Sequence, residues 1–140
     1  LGAIDSITDE DFQQTFQINC AAVFYAVRKA WPAMQTQEGG TIISISSLSS
    51  MDPFPGFQIY GASKAWLNLF TKSIADEGRP HGIHAYSVAL GAVETRLLRS
   101  AFPDFSGQGI LMPEEVARMV ASLVDPSWHH ATGCTIPFRK

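Results

Sequence analysis

The chain has 140 residues, 46% of them hydrophobic and 16% charged, with a formal net charge of -3. That balance fits one globular domain with a single core and argues against a disordered chain. It offers no electrostatic footprint for nucleic acid or an anionic membrane, and the apolar stretches are far shorter than a membrane span.

Leu1, not Met, opens the sequence, which suggests a processed, trimmed or partial chain, and no basic-then-apolar signal segment is read there. Thr8-Asp9-Glu10-Asp11 is a helix-start signal: an acceptor side chain precedes a first turn rich in acids. Phe12, Phe16, Cys20, Phe24, Val27, Trp31 and Met34 then recur in steps of three and four, which predicts one helical face, bent near its end by Pro32 and stopped by Gly39-Gly40. Thr41 to Ser46 reads as a short buried strand. A loop of Ser, Pro and Gly follows from Ser47 to Phe57. A long helix is predicted from about Gln58 to Glu77, broken by Gly78, Pro80 and Gly82. Ile83 to Ala89 is a second strand. Thr95 to Phe105 is irregular or part-helical, and Pro113-Glu114-Glu115 starts a helix to about Leu123. Thr132 to Phe138 forms a last strand, short and at an edge because Pro137 cannot donate to a ladder. Strands alternating with helices imply right-handed crossovers and a parallel sheet of about three strands with flanking helices, an α/β fold.

Cys20 and Cys134 are too isolated for a disulfide scaffold, so a reducing cytoplasm is the simpler home. His129-His130 with Cys134 fits no strong ligand spacing, and no metal is expected.

The chemistry concentrates in Tyr60-Gly61-Ala62-Ser63-Lys64. On a helix, Tyr60 and Lys64 share a face one turn apart. A free phenol, with a pKa of about 10, is a poor base at neutral pH. A nearby ammonium would lower that value and let the pair move a proton to or from a substrate oxygen. A solvated helix surface produces the same spacing. Ser47 precedes Tyr60 at the carboxyl end of a predicted parallel strand, where open α/β sheets bind ligands. Its hydroxyl could serve the same oxygen; equally, Ser44, Ser46, Ser47, Ser49 and Ser50 could be a polar run closing the strand.

Taken together, Thr41-Ile-Ile-Ser-Ile-Ser-Ser47, Phe54-Pro-Gly56 and Tyr60-Gly-Ala-Ser-Lys64 resemble the active-site segment of the classical short-chain dehydrogenases/reductases. Gln17-Ile18-Asn19, Gly82 to Thr95 and Pro113 to Ala117 resemble further family segments, so the likeness spans almost the whole chain. It implies one partial NAD(P)-binding, Rossmann-like three-layer domain over residues 1–140. It implies an oxidoreductase interconverting a secondary alcohol and a ketone, with NAD or NADP as cofactor. By resemblance, Tyr60 is the general acid/base and Ser47 orients the substrate oxygen. Lys64 depresses the pKa of Tyr60 and binds the nicotinamide ribose, and Asn19 holds a water through its main chain. Gly91, Val93 and Thr95 would lie against the cofactor, with Tyr60 and Lys64. A homo-oligomer is implied through helices 9–35 and 58–77. The segment from Arg96 to Met112 would form a substrate lid, its Leu97, Leu98, Phe102, Phe105 and Leu111 facing an apolar substrate or simply packing on the helices below.

The sequence also departs from the family pattern. No Gly-rich strand-turn-helix for the cofactor pyrophosphate is present. Leu90 stands where the family usually has Pro, and the C-terminus lacks the usual Asp-Gly-Gly. The absent strands would sit beside the strand at residues 41–46 and leave its edge uncovered. A second function therefore stands beside the first: a catalytically inactive family member serving as a dimerisation or interaction module.

Overall fold

The computed structural model describes residues 1–107 and 109–140. Helix α1, Asp9–Phe16, opens with a capping box: Thr8 accepts from the Asp11 amide, and the Asp11 carboxylate accepts from the Thr8 amide. The two bonds satisfy orphan donors of the first turn, and the acids at its N-terminus complement the dipole. The helical path continues through a π turn at Gln17–Ala21 into α2, Ala22–Thr36, which carries Pro32 internally. One uniform helical face was expected over this stretch. The π turn breaks it, because its wider i→i+5 bonding rotates the residues before it against those after it. Cys20 is buried, whereas Phe12 and Phe24 stay exposed.

Strand β1 covers Gly40–Ser47, α3 Gln58–Gly78, β2 Ile83–Leu90, α4 Arg96–Ala101, α5 Pro113–Ser122 and β3 Thr135–Phe138. The three strands form a parallel sheet in the order β1-β2-β3. The register sets Ile42 opposite Ala85, Ile43 opposite Tyr86 and Ser47 opposite Leu90. Since successive side chains alternate between faces, this register divides the core in two. On one face Ala85 packs with Ile74 and Ala75 of α3, joined by Ile42, Phe70, Val27 and Trp31. On the other, Tyr86 and Val88 pack with Leu123, joined by Ile43, Met119 and Trp128. Each large side chain fully buried in this way contributes roughly 1.5–3 kcal/mol.

The α3 face of the sheet carries small polar side chains, and these bond to the helix instead of to water. Thr71 donates to Ser44 at 2.7 Å, and Ser87 donates to Asn68 at 2.6 Å. Satisfied in this way, they let the helix backbone approach the sheet without an orphaned buried hydroxyl. Strand β3 is shorter than the predicted residues 132–138, because the Thr132 hydroxyl accepts from the Ala85 amide instead of continuing the ladder. The other edge belongs to β1. There Ile45 is 43% exposed, and a groove of about 350 Å³ runs between α2, the π turn and the strand, lined by Ile18, Asn19, Val23, Ile42, Ile45 and Lys64.

Candidate active site

The first turns of α3 meet the carboxyl end of β1, and the residues between Tyr60 and Lys64 make that junction. Gly61 is buried; a Cβ there would stand 2.7 Å from the Ser49 carbonyl oxygen, so the short 3₁₀ turn Leu48–Ser50 can press on the helix only because position 61 has no side chain. Ser63 is fully buried. Its hydroxyl donates to the Tyr60 carbonyl at 2.7 Å and accepts from Asn19 Nδ2 at 3.0 Å. Asn19 lies in the π turn, and so that turn is tied to α3 one residue before Lys64.

Around this junction the predicted residues converge. The Ser47 hydroxyl accepts from the amide and hydroxyl of Ser49, at 3.2 and 2.9 Å, and draws the pKa of the Tyr60 phenol downward. Lys64 Nζ lies 5.7 Å from the centre of the Tyr60 ring and donates to the Ile45 carbonyl at 3.0 Å. That bond reaches back to β1, so the ammonium is held on the strand side of the phenol.

The electrostatics correct one expectation. Burial pushes the Tyr60 phenol above its ordinary value of 10.0, and the Ser47 hydroxyl pulls against it. Burial likewise holds the Lys64 ammonium below 10.5, with Cys20 pulling upward. The predicted depression of the Tyr60 pKa by Lys64 is not what this geometry produces. One N–H of the ammonium goes to the Ile45 carbonyl, and removal of both groups from water costs each its charged form.

Gly91, Val93 and Thr95 follow β2, beside this junction. Gly91 donates its amide to Phe138 at 2.9 Å, and a Cβ on it would meet Arg139 at 3.1 Å and Leu48 at 3.7 Å. The backbone from Ala92 to Glu94 pairs with Leu111 in a parallel bridge centred on Val93. Thr95 caps α4, accepting from the Leu98 amide at 3.1 Å. These contacts hold the start of the loop after β2 against Leu48, the residue that follows Ser47. The donor set fits the nicotinamide and ribose end of a dinucleotide: Lys64 and the two hydroxyls supply polar partners at the carboxyl ends of two adjacent parallel strands. For the pyrophosphate, none of the described loops between a strand and a helix is Gly-rich.

Sequence reasoning missed three parts of the site. The π turn has no residue signature of its own. Ser63 sits inside the recognised pentapeptide, yet its link to Asn19 spans 44 positions. Phe57 was read only as a loop end; its ring stands edge-on to Tyr60 at 5.9 Å and parallel to Phe102 at 6.0 Å.

A family model described as short chain dehydrogenase matches residues 1–105. The human protein "Dehydrogenase/reductase SDR family member 4" is 28% identical over 145 residues, an alignment covering 96% of this chain and 52% of that protein. A solved "short chain dehydrogenase/reductase family protein" superposes with a TM-score of 0.90 at 29% identity, covering 97% of this chain and 59% of its own. The 3-ketoacyl-(acyl-carrier-protein) reductase from Brucella melitensis, solved in complex with NADH, gives 0.86 at 26% identity, covering 96% and 59%. The chain spans about half the length of the curated relatives it matches.

Proposed function

The chain belongs to the short chain dehydrogenase family, and from that premise we propose that it carries the catalytic side of an NAD- or NADP-dependent oxidoreductase interconverting a secondary alcohol and a ketone. The observation that supports this most is the meeting of Ser47, Tyr60 and Lys64 at the carboxyl end of β1. When bound, the nicotinamide supplies or accepts the hydride. The chain's own residues handle the proton and the oxygen. Tyr60 donates its phenolic proton to the carbonyl oxygen in reduction and takes it back in oxidation. Ser47 donates a hydrogen bond to the same oxygen and orients it. Lys64 keeps one N–H on the Ile45 carbonyl and offers another to the ribose. Asn19, tied to Ser63, steadies the π turn behind Lys64. Gly91, Val93 and Thr95 line the cofactor side.

A fusion of this chain to the cofactor-binding half of a curated relative tests the reading by ketone reduction. Tyr60→Phe is expected to lower turnover about 10²–10⁴-fold, the usual worth of a positioned acid. Unchanged turnover sinks the mechanism. The two free cysteines, Cys20 and Cys134, suit the reducing cytoplasm proposed as its location.

The second reading, an interaction module, is favoured by one surface. On α2 and α3, Trp66 stacks on Phe70 at 4.8 Å, Phe24 meets Phe70 edge-on, and Arg28 lies over Phe24 and Tyr25. Such a patch suits a homo-oligomer through helices 9–35 and 58–77. This reading and the catalytic one are compatible, since the patch leaves the Tyr60 end of α3 free.

A further inference from the structure

Four aromatic rings from two distant segments converge beside the phenol. Phe57, one residue before α3, stands edge-on to Tyr60 at 5.9 Å and 74°. Phe102, which ends α4, lies parallel to Phe57 at 6.0 Å and 4°. Phe54 adds an edge-on contact to Phe57 at 5.7 Å, and Phe105 lies 6.4 Å from Phe102. These spacings lie in the range where aromatic pairs attract. The rings do not bury one another: Phe54, Phe102 and Phe105 remain 47%, 36% and 38% exposed. An apolar surface of this kind, left facing solvent next to an acid/base group, is the usual lining of a ligand site.

The charges around it are uneven. Arg99, the basic residue nearest Phe102 in sequence, is spent within the chain: it donates to Glu94 at 2.8 Å and to the Phe105 carbonyl at 2.7 Å. Arg96 sits at the opposite end of α4. The two ring-bearing loops carry the carboxylates Asp52 and Asp104. A substrate carboxylate or phosphate at the rings would therefore meet aromatic edges, with the guanidinium of Arg99 already engaged by Glu94 and the Phe105 carbonyl.

We propose that Phe57 and Phe102 form an aromatic wall that selects neutral substrates with a flat apolar group next to the reacting carbon, an aryl ketone or its alcohol being the chemical class. This rests on the reading of Tyr60 as the acid/base. It separates the chain from a reductase of anionic 3-oxoacyl substrates. Phe57 positions the ring near the phenol, and Phe102 covers it from the lid.

Ligand-observed NMR on this chain, with acetophenone, acetone and acetoacetate as probes, tests the wall without requiring turnover. Acetophenone is expected to give a saturable transfer signal, with acetone and acetoacetate far weaker. Phe102→Ala and Phe57→Leu should each weaken acetophenone on the order of tenfold, the worth of a ring contact plus its buried area. Val124→Ala, at an exposed site remote in sequence from both loops, should leave it unchanged. The proposal is overturned by a missing acetophenone signal, by acetoacetate binding as tightly, or by both ring variants binding acetophenone normally while circular dichroism shows them folded. Tyr60→Phe separates the two ideas. Retained acetophenone binding with unimpaired ketone reduction in the fusion sinks the acid/base reading and leaves the wall standing.

Discussion

At the scale of single residues, the site depends on where protons sit. A phenol raised by burial is a good donor at neutral pH and a poor acceptor, and Ser47 only partly offsets the burial. On the proposed mechanism, the two directions of the reaction therefore respond oppositely to pH. Ketone reduction needs the protonated phenol, which is present throughout the neutral range and lost only as pH rises through the raised pKa. Alcohol oxidation needs phenolate, so its rate should climb with pH into the alkaline range. Rate profiles of the fusion enzyme in both directions check this, with an alkaline limb that vanishes in Tyr60→Phe. A bell centred near neutrality for oxidation would show that Lys64 leaves Ile45 and depresses the phenol when cofactor binds. That Ser47, Tyr60 and Lys64 come to one junction was legible through the family resemblance of their segments, since spacing alone also fits a solvated helix surface. Their energies were not legible. Spacing shows that Lys64 is one turn from Tyr60, but not that its amine turns to a strand carbonyl at 3.0 Å.

Between elements, the junction of α3 with the end of β1 holds the site, and it rests on small residues. Gly61→Ala would set a methyl 2.7 Å from the Ser49 carbonyl, a backbone atom that can yield only if the Leu48–Ser50 turn moves. Overpacking of this kind costs about 1–3 kcal/mol. That outweighs the gain of roughly 1 kcal/mol that Ala brings to a helix interior. Urea unfolding should show the net loss, and turnover in the fusion should fall because the moved turn holds the Ser47 hydroxyl through Ser49. Equal stability and full activity would mean that the turn is looser than its contacts indicate. The element order, the parallel sheet and most boundaries were legible from periodicity, since buried strands and amphipathic helices repeat at 2 and 3.6 residues. The π turn was not, because a local change of hydrogen-bond partner leaves the apolar spacing nearly intact. Nor was the stack of Phe57 on Phe102, which depends on how the end of α4 folds back across 45 positions.

For the whole molecule, two surfaces compete to be covered. One is the open edge of β1, with Ile45 at its centre and Lys64 beside it. The other is the aromatic patch on α2 and α3, where Tyr25 and Trp66 are 51% and 36% exposed. An open parallel edge offers unpaired backbone groups to any strand. Rigid aromatic rings bring large contact area at low entropic cost, and they make the more selective interface. If the patch drives association, Trp66→Glu should turn a dimer into a monomer, read by light scattering across a concentration series, while Ile45→Lys leaves the dimer intact. The reverse result, with association lost on charging the strand edge and kept on charging the helix face, would mean that the exposed β1 ladder pairs between copies. In that case the groove beside Lys64 would be filled by another chain's strand, and the residues around Tyr60 would meet substrate only after it withdrew.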